Sequence, residues 1–285
     1  LFFAKGLGIK SMMVIWIHGT LEISAMIISA TAGFIITKSI LFPGSYKRIV
    51  SFKKGVKMTR YESFGNHELI ILLSYPCINK GRCNFCTYHL CNKTNAEEMI
   101  KTNSKVLSRI KGYGVLEIYN SGSIFELPPY TLLQIQELIR LKNTPKIITE
   151  AHWQYRRQFE NMRKFLGAPE TLIKVGVETF DIEIREKIMK KGMGNAVPEE
   201  IKNFTSAINL LVGIKGQTQE TVKRDIEISQ KLFSHIDLSI FDARHAPDPA
   251  IKNKELNKWF LQNFRHLKQD ERFRILPNID KMELY

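Results

Sequence analysis

From residue 68 to residue 270, short apolar runs and amphipathic segments take turns six times. The apolar runs are ELIILLSYPC, VLEIYNSGS, KIITEAHW, TLIKVGVETF, AINLLVGIKGQT and HIDLSIFDARHA. Each has the length and composition of a strand. The segments between them have helical spacing. NAEEMIKTNSKVLSRIKG closes on Gly112, and PPYTLLQIQELIRLKN opens on two prolines. QYRRQFENMRKFLG closes on Gly167, and DIEIREKIMKKG opens on Asp181, a capping residue. QETVKRDIEISQKLF and NKELNKWFLQNFRHLKQD complete the set. Alternation on this scale predicts an α/β fold of parallel strands joined by right-handed crossovers.

In such sheets and barrels chemistry gathers at the carboxyl ends of the strands. Cys77 ends the first strand, Ser121, Gly122 and Ser123 the second, and Glu150 the third. Glu178 ends the fourth, Lys215 to Thr218 the fifth, and Asp242 to His245 the sixth. Random placement of polar residues would not concentrate them this way.

All four cysteines fall in one stretch, CINKGRCNFCTYHLC, from Cys77 to Cys91. Four cysteines in fifteen positions cannot staple a chain of 285 residues, so a disulfide framework is disfavoured and metal ligation in a reducing compartment favoured. Cys83 and Cys86 form a C-x2-C pair. A tetrahedral zinc site would use all four thiolates, or three and His89. A [4Fe–4S] cluster on three cysteines would leave one iron open to a ligand. The cysteines alone leave both readings open.

An apolar content of 44% excludes a disordered chain. The net charge is +14, but residues 1–57 hold eight Lys/Arg against Glu22 alone. Half of the excess therefore lies there, and the remainder of the chain is too moderately basic to imply a dedicated nucleic-acid surface.

Residues 1–57 are unlike the rest. The run from Ile23 to Thr37 carries no charge and with its flanks approaches the ~20 residues that span a bilayer. Small residues recur in it at close-packing intervals, and a Pro43-Gly44 break and a basic run come after it. The segment IHGTLEISAMIISATAGFIITKSILFPGSYKR resembles part of the stage II sporulation protein M family of membrane proteins. The chain opens on Leu1, and Met58 would serve as a natural start for residues 58–285. A processed or joined fragment is the expectation, with a buried N-terminal helix as the alternative. The expected domains are thus 1–57, membrane-like and helical, and 58–285.

A first strand, a cysteine loop ending C-x2-C and five further strand–helix units resemble the radical S-adenosylmethionine (SAM) superfamily. The similarity covers residues 66–285. The spacing here is C-x5-C-x2-C, longer in its first gap than the common C-x3-C-x2-C of that superfamily. The resemblance implies a partial (β/α)6 barrel of parallel strands, preceded by the apolar helical segment. It implies SAM and a [4Fe–4S] cluster held by Cys77, Cys83 and Cys86, with Phe85 in the aromatic place before the last cysteine. Ser121, Gly122 and Ser123 would stand where the family binds the methionyl amino group, and Glu150 would face SAM. Glu178 would contact the ribose or the substrate, and Lys215 would act beside it. Cys91 is left over as a bystander thiol, and His89 as a loop-packing group.

CNFCTYH, YNSGS and VGVETFD with IMKKGM resemble the branch of archaeosine-synthase radical SAM lyases and bacterial queuosine lyases. That branch implies cleavage of a 7-deazaguanine nucleoside or nucleotide, queuosine or its 5′-phosphate, to queuine. It also implies a low-potential donor of flavodoxin or ferredoxin type and no binding of whole tRNA. Arg244 or Lys215 would suit a phosphate. The alternatives are a radical SAM enzyme modifying another nucleoside, tRNA or peptide, a membrane-anchored zinc- or cluster-containing binding module, and an iron–sulfur electron carrier. The expected location is cytoplasmic, with membrane association only through residues 1–57.

Overall fold

The computed structural model describes residues 61–86, 95–112, 114–241, 248 and 251–276. The apolar segment 1–57, His89, Cys91 and Arg244 lie outside them. The sheet opens with a hairpin, β1 Tyr61–Phe64 against β2 His67–Ile71. Its two-residue turn is Gly65-Asn66, with Gly65 at φ +60°, a conformation glycine adopts without steric cost. From β2 onward every neighbour is parallel: β3 Val115–Tyr119, β4 Lys146–Ala151, β5 Glu170–Glu178, β6 Ala207–Val212, β7 His235–Ile240 and β8 Phe273–Leu276. Strand order follows chain order from β1 to β8, so the sheet is a partial barrel with two edges. The helices are α1 Ala96–Leu107, α2 Pro129–Lys142, α3 Phe159–Leu166, α4 Pro198–Phe204, α5 Gln219–Leu232 and α6 Lys254–Asn263. Among the described residues no helix is long and apolar enough to cross a membrane.

Among the described residues eight strands are present where the sequence predicts six. β1 buries only Tyr61 and β8 only Phe273 and Ile275. Neither four-residue strand has an apolar run to announce it. The first predicted strand, 68–77, pairs only as far as Ile71. Beyond it, Asn103 of α1 takes the place of a neighbouring strand. Its amide donates to Leu73 O at 2.9 Å and accepts from Leu73 N at 2.8 Å. The helix predicted over DIEIREKIMKKG shrinks to a π turn at Ile184–Ile188. Buried Arg185 ties that turn to the next loop, donating to Gly194 O at 2.9 Å and Ala196 O at 2.8 Å.

Alternation along each strand sorts the two faces. Ile118, Ile147, Val175, Ile208, Leu238 and Ile275 belong to the main apolar cluster with the helices. The opposite face, inside the half-barrel, is charged. Lys174 of β5 reaches Asp237 of β7 at 2.5 Å and Glu117 of β3 at 3.2 Å. Arg274 of β8 contacts the same two carboxylates at 2.6 Å each. Burial pushes Glu117 and Asp237 up, but the Arg274 hydrogen bonds and the Lys174 charge hold both below the usual carboxylate range. Tyr119 donates to Glu117. Removing one partner from such a group typically costs ~3–5 kcal/mol, because a buried charge is left uncompensated.

Candidate active site at the cysteine loop

Cys77, Cys83 and Cys86 lie partly buried on the loop that leaves β2. Tight turns shape this loop. Lys80 N donates to Cys77 O at 2.8 Å, Arg82 N to Asn79 O at 3.1 Å, and Cys86 N to Cys83 O at 3.4 Å. Buried Asn79 is its hub. Its Nδ2 lies 2.9 Å from Cys83 Sγ, 3.0 Å from Lys191 O and 3.3 Å from Lys190 O. Asn84 adds a second tie, donating to Ile188 O at 2.9 Å. The loop is thus fastened to the segment after β5. Asn79 comes from the long first gap of C-x5-C, so the extra length has a structural use.

The end of β3 closes on the loop from another side. A Cβ on Gly122 would stand 3.0 Å from Cys77 Cβ and collide with the Glu126 carboxylate, so only glycine fits. Glu126 is 6% exposed and accepts from Ile78 N at 2.5 Å and from Ser123 N at 2.7 Å. Ser123 is buried, and its hydroxyl accepts from His152 N at 2.8 Å. His152 Nε2 lies 2.9 Å from Lys191 O. Burial and then the Lys191 charge lower its pKa to about 4, so the ring is neutral near pH 7 and donates to that carbonyl.

Glu178 ends β5 with φ +68°, a left-handed conformation that a residue with a Cβ adopts at a cost. A register shift between Gly176 and Glu178 accompanies it. The next residues hold it: Thr179 Oγ1 donates to Asp225 Oδ2 at 2.7 Å and Phe180 N to Asp225 Oδ1 at 3.0 Å. The Glu178 carboxylate then meets Lys191 Nζ at 2.6 Å. Burial pushes Lys191 down, but the Glu178 charge and hydrogen bond outweigh it, and the ammonium stays protonated. Lys191 also lies 5.4 Å over the Phe85 ring. Phe85 in turn packs on a small apolar cluster with Ile184, Met189 and Ile214. A part-buried ion pair and an aromatic ring therefore flank Cys83 and Cys86.

The predicted residues fall into two groups. Phe85, Gly122, Ser123 and Glu178 gather around the cysteine loop. Ser121 adjoins them at the end of β3, half-buried. Among the described residues Glu150 forms no hydrogen bond or ion pair with them. Its carboxylate faces the inside of the half-barrel, where Asn209 Nδ2 donates at 2.7 Å and Lys174 lies at 3.5 Å. Lys215 is exposed beyond β6, its backbone N bonded to Ile251 O at 2.6 Å. Asn79, Glu126, His152 and Lys191 are not among the residues the sequence points to. Only Glu126 has a local signal, as the fourth residue of Ser123-x-x-Glu126, a capping box.

Burial raises the Cys77 thiol to about 11 and lifts that of Cys83 as well, so neither is a thiolate near neutrality until a metal displaces its proton. Among the described residues, no three Cys, His, Asp or Glu side chains converge as a single metal ion would require. A cubane binds each thiolate to a different iron and does not ask for that convergence. Three thiols on one loop, an amide donating to one of them and a glycine against another fit such a cluster.

A parallel half-barrel with a three-cysteine loop after its first parallel strand defines a radical SAM enzyme. A solved structure of queuine lyase from Clostridium spiroforme, bound to SAM and queuine, is 36% identical to this chain. The match covers 78% of this chain and 96% of that one, with a TM-score of 0.73. The chain belongs to the radical SAM enzymes, in the family of this queuine lyase. Enzymes of this class use SAM and a [4Fe–4S] cluster, and both are implied here. A methylornithine synthase structure is 17% identical, covering 72% of this chain and 63% of that one, with a TM-score of 0.46. An uncharacterized protein of Methanocaldococcus jannaschii is 29% identical over 177 residues, 54% of this chain. The match spans 46% of that relative, about half its length. The stage II sporulation protein M family matches residues 1–66.

Proposed function

We propose that this chain is a radical SAM lyase that cleaves queuosine or its 5′-phosphate and releases queuine. The observation that carries the reading is the 36% identity to queuine lyase over 96% of that enzyme. We assign Cys77, Cys83 and Cys86 to the cluster, and Phe85, Ser121, Gly122 and Ser123 to the surroundings of SAM. When bound, the cluster and SAM supply a 5′-deoxyadenosyl radical that takes a hydrogen atom from the substrate.

The chain's own contribution is orientation. Gly122 lets the end of β3 approach the cysteine loop, and the Glu178–Lys191 pair presents a fixed charge beside it. Glu150 faces into the half-barrel, which suits substrate better than SAM. A 7-deazaguanine edge offers N–H donors. Glu150 can accept them. Lys215, exposed at the rim, suits the phosphate of a nucleotide. We place the enzyme in the reducing cytoplasm, served by a flavodoxin- or ferredoxin-type donor, with residues 1–57 its sole route to a membrane.

The test is anaerobic incubation of the reconstituted enzyme with SAM, reductant and either queuosine or queuosine 5′-phosphate. Free queuine and 5′-deoxyadenosine are expected. Glu178→Gln should slow product formation about tenfold or more, ~1.4 kcal/mol of barrier, while iron content stays unchanged. SAM cleavage with the deazaguanine compound left intact would remove the substrate assignment and leave the class standing.

A further inference from the structure

Glu178 meets Lys191 because the backbone after β5 is held in an unusual shape, and α5 does the holding. Asp225, on α5, is 3% exposed. Its two oxygens accept the Thr179 hydroxyl and the Phe180 N–H. Thr179 Oγ1 in turn accepts from Asp181 N at 3.1 Å, so three consecutive residues after Glu178 depend on one carboxylate. Asp181 extends the chain of bonds, its Oδ1 accepting from Ile184 N at 3.0 Å where the π turn Ile184–Ile188 begins. That turn supplies Ile188 O to the Asn84 amide, and Met189 O accepts from Asn84 N at 3.1 Å. Asp225 is thus linked to Glu178 and to the cysteine loop through bonded neighbours, and hydrogen-bonds to neither Glu178 nor a cysteine among the described residues.

We infer that Asp225 is a positioning residue for the SAM site: it holds Glu178 in its left-handed conformation and so sets the carboxylate beside SAM. The inference rests on the placement of Glu178 at that site and not on the identity of the substrate. The charged groups facing Asp225 are Arg185 from the π turn, Asp181 before it, and Arg224 on the same helix. Arg185 donates to Glu186, Gly194 O and Ala196 O, and Arg224 reaches Asp181 Oδ2 at 3.4 Å, so neither cation is bonded to Asp225. The adjoining α4 carries Glu199, Glu200 and Lys202, none of them buried. Burial therefore lifts Asp225 to about 6, with the Thr179 and Phe180 hydrogen bonds opposing it. Because the folded value is raised, ionising Asp225 lowers global stability as pH rises. An amide at this position would relieve that cost but cannot make the same bonds. Its oxygen can accept from Phe180 N, but its nitrogen must donate to Thr179 Oγ1, and the Thr179 hydroxyl proton then loses this acceptor. A protonated Asp225 has the same defect. What the carboxylate contributes is geometry.

The test is equilibrium binding of SAM to the full-length reconstituted protein, between about pH 5 and pH 8. Near pH 7, Asp225→Asn should weaken SAM about tenfold. Its iron content should be unchanged and its melting temperature lowered by no more than ~4 °C, a combination that a merely structural role would not give. The parent should lose SAM affinity as pH falls through about 6, and Asp225→Asn should lack that step. Thr179→Val removes the same bond from its other end and should weaken SAM in the same direction, which covers the case of an Asp225→Asn protein that fails to fold. Ser229→Ala is the control for a loosened α5: its buried hydroxyl donates to Asp225 O at 2.7 Å, and its loss should leave SAM affinity intact. Combining Asp225→Asn with Glu178→Gln should cost little more affinity than Glu178→Gln alone, because one acts through the other. Parent-like affinity in Asp225→Asn and Thr179→Val, with Glu178→Gln weakened, would overturn the inference and leave the SAM site standing. So would additive losses in the double variant, or an equal loss in Ser229→Ala. Full affinity in Glu178→Gln would remove Glu178 from the SAM site and the inference with it.

Discussion

Gly176 shows how narrowly the site is drawn at the scale of one residue. A Cβ placed there would lie 2.6 Å from Glu178 Oε1 and 2.7 Å from Lys191 Nζ. Gly176→Ala must therefore push the pair apart, although it touches no cysteine. The expected outcome is full cluster loading with SAM affinity reduced about tenfold, ~1.4 kcal/mol. An equilibrium binding measurement on the reconstituted variant checks it, and unaltered affinity would remove the Glu178–Lys191 pair from the SAM site. Glu178 is legible in the sequence as a carboxylate at a strand end. Lys191 is visible only as a residue of IMKKG, because nothing local shows that the chain after β5 turns back onto the cysteine loop. Asn79 is a similar case. An asparagine between two cysteines reads as turn chemistry, and its role appears only when residues 190 and 191 arrive from more than a hundred positions away.

At the scale of elements, the strands from β3 to β8 are joined across the half-barrel as well as along the sheet. Glu117, Lys174, Asp237 and Arg274 come from four different strands. The alternation in TLIKVGVE marks Lys174 as facing away from the helices, but its partners stand on strands too distant in sequence to be paired with it by reading. The same limit hides β8, four residues long with Arg274 inside it. Long, periodic elements such as α2 and α5 are legible, since their spacing and caps are local. The charged layer has a consequence for pH. Glu117 and Asp237 titrate lower in the folded chain than in the unfolded one, so their stabilisation is complete above the unfolded value of about 4. It is lost as pH falls through the folded values, where the unfolded state binds more protons. Thermal melting followed from pH 6 down to pH 3 should show a steep loss below about pH 4.5. Glu117→Gln should start roughly 3–5 kcal/mol less stable and fall less steeply. A variant as stable as the parent, with the same acid slope, would contradict the assignment.

At the scale of the whole molecule, the described residues carry the barrel and the candidate site, while residues 1–57 belong to a different pattern of sequence. We propose that the two are separable: a chain beginning at Met58 should be soluble, load iron and bind SAM. If it only aggregates while the full chain folds in detergent, the apolar segment is part of the catalytic domain. Function depends first on the loop itself, fastened by Asn79 and Asn84 to the segment after β5 and by Gly122 and Glu126 to the end of β3. Three cysteines there should hold one [4Fe–4S] cluster. The most direct measurement is iron and acid-labile sulfide per chain after anaerobic reconstitution, in the parent and in four single variants. About four irons and four sulfides are expected in the parent and in Cys91→Ala, with loss of the cluster in Cys77→Ala, Cys83→Ala and Cys86→Ala. Stoichiometric zinc in place of iron, or a cluster lost in Cys91→Ala and kept in Cys77→Ala, would contradict the assignment.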